Sequence, residues 1–202
     1  MGLAAGARGA DDARLQRAAA AAGPRASAAV HELQPLLASA RALPPLHRLQ
    51  AINAFYNARI RFAADDQVWG RIDHWASPLE LLERGAGDCE DYAIAKYFTL
   101  RALGVPASSL RLAYVRARLA DGRVQPHMVL AWYAAPGAEP LLLDNLAAAV
   151  EPAAQRADLT PVFSFNDAGL WHGLGTEEVG VPVARLPHWH DVSQRARAEG
   201  FL

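Results

Sequence analysis

The sequence predicts an α+β fold in which N-terminal helices pack on an antiparallel β-sheet. Three observations predict it. Apolar residues recur at helical spacing from Leu46 to Ile60 and again from Ala93 to Leu103, strict alternation takes over at Leu110, and short apolar runs then follow one another across Asp121-Gly122 and Pro136-Gly137. Helix signals therefore precede strand signals along the chain, the order of an α+β domain rather than of alternating βα units.

Each element follows from a local cause. Residues 1 to about 30 are rich in alanine, glycine and arginine and show no leucine-rich run like that of an export signal, so a frayed alanine-rich helix or disordered leader is expected there. Gly2 is no myristoylation site, because position 6 is glycine where that motif needs Ser or Thr. The expected division is a poorly defined leader and helix over 1–45 and one domain over 46–202. After Pro44-Pro45, the spacing of Leu46, Leu49, Ile52, Phe55, Tyr56 and Ile60 predicts an amphipathic helix to about Phe62. Asp65-Asp66 and Gly70 interrupt it, and Trp69, Ile72 and Trp75 are expected to pack over the core from an irregular stretch. Ser77-Pro78-Leu79-Glu80 combines a capping box with proline at the first helical position, so a short helix runs from Pro78 to about Arg84 and stops at Gly85. Gly85-Ala86-Gly87 is a turn, with Asp88 as N-cap of a helix whose buried stripe is Ala93, Tyr97, Leu100 and Leu103, ending at Gly104. Strands are expected at Leu110–Val115, at His127–Tyr133 and at Leu141–Asp144. After Asn145, Pro152, Pro161, Pro182 and Pro187 suggest a loop-rich tail pinned by Phe163, Phe165 and Trp171, closing with a short helix after Asp191.

Composition bounds the function. With 202 residues, 52% hydrophobic and 20% charged, the chain can bury the core of one globular domain. A net charge of -1 from 20 basic and 21 acidic residues gives no electrostatic footprint for nucleic acid or an anionic membrane. No window approaches 18 uninterrupted apolar residues, so no transmembrane segment is expected. A single cysteine excludes an internal disulfide and any multi-cysteine metal cage.

That cysteine is the centre of the chemistry. A lone cysteine is most often a small buried hydrophobe. Cys89, however, stands in the first turn of a helix, where free amides and the helix dipole favour a thiolate, and between Asp88, Glu90 and Asp91, which a buried structural thiol would not tolerate. A nucleophilic cysteine needs a histidine to take its proton and a carboxylate or amide to orient that histidine. His127 opens one strand and Asp144 ends the next, so pairing across Pro136-Gly137 could bring them together, which predicts a Cys89-His127-Asp144 triad. Taken singly, His127 would be a satisfied core histidine and Asp144 a turn residue. The carboxylates oppose thiolate formation unless a cation relieves them. Asp88, Glu90 and Asp91 offer hard oxygen ligands suited to calcium, and Asn145 could add an amide oxygen, although the spacing is not that of an EF-hand and a solvated acidic N-cap would need no metal. His188-Trp189-His190 could place two imidazoles on one face of a strand, as in a zinc site, but lacks a third ligand. His172, His74, His47 and His31 stand alone, and Glu177-Glu178 reads as a solvated pair.

From about Ile52 to the C-terminus the chain resembles the bacterial transglutaminase-like cysteine peptidases, in particular the LapG-type periplasmic adhesin proteases. The resemblance is carried by Asn53-Ala54-Phe55-Tyr56-Asn57, Val68-Trp69-Gly70, Trp75-Ala76-Ser77-Pro78-Leu79-Glu80 and above all Gly85-Ala86-Gly87-Asp88-Cys89-Glu90-Asp91-Tyr92-Ala93-Ile94-Ala95-Lys96-Tyr97. Tyr114-Val115, His127-Met128-Val129-Leu130, Leu143-Asp144-Asn145 and Pro161-Val162-Phe163-Ser164-Phe165-Asn166 follow in order. It implies a papain-like, transglutaminase-like core with Cys89 as nucleophile, His127 as base and Asp144 as orienting acid. It also implies a calcium site, Ca2+ being held by Asp88 and Glu90, with Asp91 and Asn145 as extensions. Its further implications are a periplasmic location, cleavage near the N-terminus of a large surface adhesin that promotes biofilm dispersal, and sequestration by an inner-membrane receptor sensing cyclic-di-GMP. Acyl transfer to an amine, or a non-catalytic calcium-dependent binding module, are the alternative readings.

Overall fold

The computed structural model describes residues 3–179 and 186–202; Gly2 and Pro182 lie outside them. The chain begins with two long helices, α1 (Leu3–Ala22) and α2 (Pro24–Ala40). Leu15, Ala19, Ala26, Ala29, Val30, Leu33, Leu37 and Ala40 are buried in the same core as the rest of the chain, so residues 15–40 are neither frayed nor disordered. Alanine is the reason the sequence hides this. It is apolar enough to bury and small enough for helices to approach closely, yet it leaves no contrast between faces to read. Gly23 joins the two helices at φ 148°, and the Glu83 carboxylate fills the space a Cβ there would need, accepting from the Ala26 amide at 2.8 Å.

The next helix, α3 (Pro45–Arg59), matches its spacing, and Leu49, Ile52 and Tyr56 are buried on it. A two-residue strand β1 (Arg61–Phe62) and a short helix α4 (Asp65–Trp69) follow. Trp69 and Trp75 lean on the core, but Ile72 is 93% exposed and packs over nothing. Helix α5 (Pro78–Arg84) starts with both halves of the Ser77–Glu80 capping box and stops at Gly85 in the left-handed region. Then come β2 (Ala86–Gly87) and α6 (Cys89–Ala102). Every residue of α6 from Asp91 to Leu100 is buried, so it is a central helix enclosed on all sides rather than one with a single buried stripe. It packs on α3, on α5 and on the sheet.

The sheet has six antiparallel strands in the order β6 (Glu151–Pro152), β5 (Leu141–Leu143), β4 (Val124–Trp132), β3 (Leu110–Arg118), β7 (Leu159–Phe165) and β8 (Leu170–His172). Three of these strands lie where a loop-rich tail was expected. Strand β7 holds Pro161 and flanks β3 across a bulge at Tyr114/Val115, a place where the missing N–H is tolerated. Leu110, Leu112, Met128 and Leu130 face α6, while Ala113, Val115, Val129 and Ala131 form a smaller cluster on the other face. Helix α7 (Pro187–Glu199) closes the chain, so His188 and His190 lie about 200° apart around a helix with Trp189 buried between them, and share no face. No described helix is long and apolar enough to cross a membrane.

Candidate active site

The site is assembled at the start of α6. Parallel pairing of β1 with β2 ties Arg61 to Gly85 and Ala63 to Gly87 by backbone bonds of 3.0 Å, which lays the segment entering α4 beside the turn entering α6. Gly87 is required there, because a Cβ would stand 2.6 Å from Leu81 Cδ1 and closer still to the Asp91 carboxylate. Asp88 holds the N-cap position but its side chain makes no cap bond. It turns instead toward other carboxylates.

Cys89, the first residue of α6, is half-buried and lines a cleft of about 570 Å³ together with His127, Trp75, Tyr114, Phe163 and Phe165. His127 is the fourth residue of β4 rather than its opening one. The register Leu130↔Leu143 carries the chain past β5 so that Asp144 returns to it, and His127 Nε2 lies 2.8 Å from Asp144 Oδ1. Both side chains are buried. Nε2 is thus committed to Asp144, and Nδ1 is the ring nitrogen that this pairing leaves over. Asp144 is held on every side: Leu146 N–H donates to Oδ1 at 2.9 Å, Arg156 Nη2 to Oδ2 at 2.7 Å, and Asn57 Nδ2 to its carbonyl at 2.7 Å. Burial opposes its charge, but His127, the Leu146 amide and Arg156 outweigh burial and hold its pKa down at about 2. Arg156, in turn fixed by Asp158, carries no motif in the sequence and is found only through the fold.

The carboxylates form a larger set than the sequence suggests. Asp65, Asp88 and Asp91 bring ligand oxygens within 4.8 Å of one another, as do Asp65, Asp73 and Glu90. Asp65 Oδ1, Asp88 Oδ1 and Asp91 Oδ2 are buried without a hydrogen-bond partner among the described residues. Like charges so placed cost free energy unless protons or a cation neutralise them. Burial, with Glu90 and Asp91 adding to it, raises Asp88 to about 9, and burial raises Asp91 and Asp65 as well. Converging oxygens of this hardness suit a divalent cation such as calcium. Asp65 and Asp73 come from outside the cysteine motif, and Asp73 has a positive φ of 60° without being glycine, a strained position of the kind found at ligand clamps. Asn145 stands on the histidine side, its Oδ1 buried without a partner, and shares no hydrogen bond with the acidic cluster among the described residues. The thiol feels the cluster. Burial first, then Glu90, whose Oε2 accepts from Sγ at 3.1 Å, and Asp88 push it far above its ordinary value, while the Met128 amide works the other way.

Comparison with known proteins decides the family. A family model described as bacterial transglutaminase-like cysteine proteinase BTLCP matches residues 31–177. The chain belongs to the bacterial transglutaminase-like cysteine proteinases. This transglutaminase-like proteinase is also similar to LapG of Legionella pneumophila, with a TM-score of 0.77 and 35% identity over 92% of this chain and 95% of that one. A calcium-bound LapG structure superposes with a TM-score of 0.78 at 35% identity, covering 91% and 98% of the two chains. An EGTA-treated LapG structure gives 0.78 and 35% over 92% and 97%. No curated protein sequence matches. The α+β, transglutaminase-like architecture expected from the sequence is therefore the fold of this proteinase.

Proposed function

We propose that this proteinase is a calcium-dependent periplasmic endopeptidase that cleaves the N-terminal region of a large cell-surface adhesin, releasing it and promoting biofilm dispersal, under an inner-membrane cyclic-di-GMP receptor. The observation that carries the peptidase reading is the buried His127–Asp144 pair at 2.8 Å beside the cleft that Cys89 opens into. The adhesin, the receptor and the location rest on the family resemblance. Cys89 is the nucleophile, His127 the base and Asp144 the orienting acid. The thiol proton passes to His127 Nδ1 as the sulfur attacks the scissile carbonyl; the C–N bond then breaks and the leaving amine takes that proton. Water, deprotonated by His127, releases the acyl group and restores the thiol. The Cys89 backbone amide, free at the helix N-terminus, faces the developing oxyanion. Asp144 stays ionised through this cycle and keeps the imidazole in one tautomer.

Asp65, Asp73, Asp88, Glu90 and Asp91 are the residues that would hold calcium. When bound, the ion supplies positive charge that offsets the carboxylates around the thiol. The test is incubation of the purified protein with a candidate adhesin N-terminal region, with and without chelator, beside Cys89→Ala. Cleavage should require Cys89 and calcium, and product masses should show addition of water rather than of an amine. Full activity in Cys89→Ala, or in chelator with no calcium bound, would refute the reading.

A further inference from the structure

Among 20 lysines and arginines the chain has a single lysine, Lys96, and its side chain is fully buried in α6. Seven residues after Cys89, it lies on the same helix face two turns deeper. Helical side chains lean toward the N-terminus, and its Nζ accordingly reaches back to 5.5 Å from the Tyr92 ring centre, without a hydrogen-bond partner among the described residues. Helix α3 runs antiparallel to α6 here: Tyr56 Oη meets Thr99 Oγ1 at 2.7 Å and Tyr92 Oη donates to the Ile60 carbonyl. Lys96 is bracketed by those contacts, level with the α3 turn that carries Asn57. Asn57 holds the Asp144 and Ala147 carbonyls, at 2.7 and 3.2 Å, while Asn57 Oδ1 and Asn145 Oδ1 are buried and unpaired. The two unpaired amide oxygens flank the Asp144 turn, and the ammonium lies in α6, the helix packed between α3 and β4. Burial pulls the Lys96 pKa down to about 7, and the Asp144 charge opposes that.

We propose that Lys96 is a positioning residue for the triad: its buried charge steadies the Asp144 turn from beneath, as Arg156 does from the sheet side, and through Asp144 it tunes His127. This rests on the reading of Cys89, His127 and Asp144 as the catalytic set. An unpaired buried ammonium does not stabilise a core, and methionine of similar length would pack there at no loss. The Tyr92 ring face suits an ammonium and a methionine sulfur alike, so the charge toward Asp144 is what distinguishes the two residues.

The test compares Lys96→Met and Lys96→Arg with the calcium-loaded wild type. Thermal midpoint, kcat and KM on an adhesin fragment, and the NMR titration of the His127 ring are measured. Lys96→Met should melt no lower than wild type, lose about tenfold in kcat with KM unchanged, and titrate His127 upward by about 0.5 unit or more, since a positive charge beside the pair is gone. Lys96→Arg should recover part of kcat. An unchanged kcat and titration, or a kcat loss matched by a lower midpoint with His127 unmoved, overturns the proposal. If Lys96→Met does not fold, Lys96→Gln is read in the same way; if both unfold, the residue is structural and the proposal fails. The His127 titration needs no substrate, so wild type that cuts no adhesin would refute the function while the titration still judges Lys96.

Discussion

Asp65→Asn isolates the acidic cluster, because asparagine keeps the shape and the oxygen that accepts from the His74 amide while removing one charge and replacing the unpaired Oδ1 with a donor. Ligand oxygens of Asp65, Asp88 and Asp91 lie within 4.8 Å of one another. At that separation each ionised pair repels by about 3–4 kcal/mol in an effective dielectric of about 20. Partial protonation relieves much of this, so the metal-free variant should gain about 1–3 kcal/mol. For a domain of this size that is a rise of roughly 3–10 °C in Tm. Calcium acts in the opposite direction. Saturation at about 1,000 times Kd stabilises wild type by about 4 kcal/mol, and Asp65→Asn should lose most of that increment with its ligand. Differential scanning calorimetry in chelator and in excess calcium reads both numbers. A variant that melts lower than wild type in chelator yet keeps the full calcium increment would show that Asp65 neither strains the cluster nor binds the ion.

Arg156→Ala leaves the Asp144 carboxylate buried with one partner fewer, which should cost about 3–5 kcal/mol and lower kcat more than it changes KM; unchanged calorimetry and kinetics would show that His127 and the Leu146 amide suffice. In chelator, stability should fall as pH rises: Asp88, Asp91 and Asp65 have folded pKa values raised above the unfolded ones near 4, so their contribution is complete below pH 4 and is lost on the way to about 9. Asp144, depressed to about 2, works the other way but only in the acid range below its unfolded value. Melting midpoints at pH 5.5 and 8 check this; saturating calcium should shrink the loss to the part owed to Glu199, which burial also raises to about 7, and a flat or rising midpoint in chelator would refute it.

What the sequence discloses here depends on the range of the interaction. The α5 cap, the Gly85 stop and the start of α6 at Cys89 are local events, each fixed within four residues, and all are where the sequence puts them. The His127–Asp144 contact is nearly local, two neighbouring antiparallel strands away, and it too was legible. Asp65, Asp73 and Arg156 were not. Asp65 reaches the cluster only because a two-residue parallel pairing joins β1 to β2, and two residues leave no periodicity to find. Arg156 sits after a short 3-10 turn, and nothing marks it until the sheet brings it to Asp144. Strand β7 was concealed by Pro161, which reads as a breaker until the bulge beside it, with Val162 of β7 as the extra residue against β3, is known. An alanine-rich helix was legible before residue 45, but alanine concealed that residues 15–40 are buried in the core on two helices, α1 and α2.

The acidic neighbours of Cys89 also change meaning when the fold is known. Within the motif they look like a first turn that favours the helix dipole, with a thiol placed among them at a cost. In space they belong to three chain segments, at Asp65, at Asp73 and at Asp88–Asp91, and no hydrogen bond neutralises the oxygens that face inward. Asp73 immediately precedes His74 and Trp75, and Trp75 is a wall of the cleft, stacked on Phe165 at 6.0 Å. A charge that draws the three segments together therefore acts twice. On the proposed mechanism it would lower the cost of a thiolate at the start of α6, and it would fix one wall of the cleft in which the substrate carbonyl meets that thiolate. Loss of the ion then affects nucleophile and binding surface together, so a chelator should depress kcat and raise KM in the same titration, with a common midpoint.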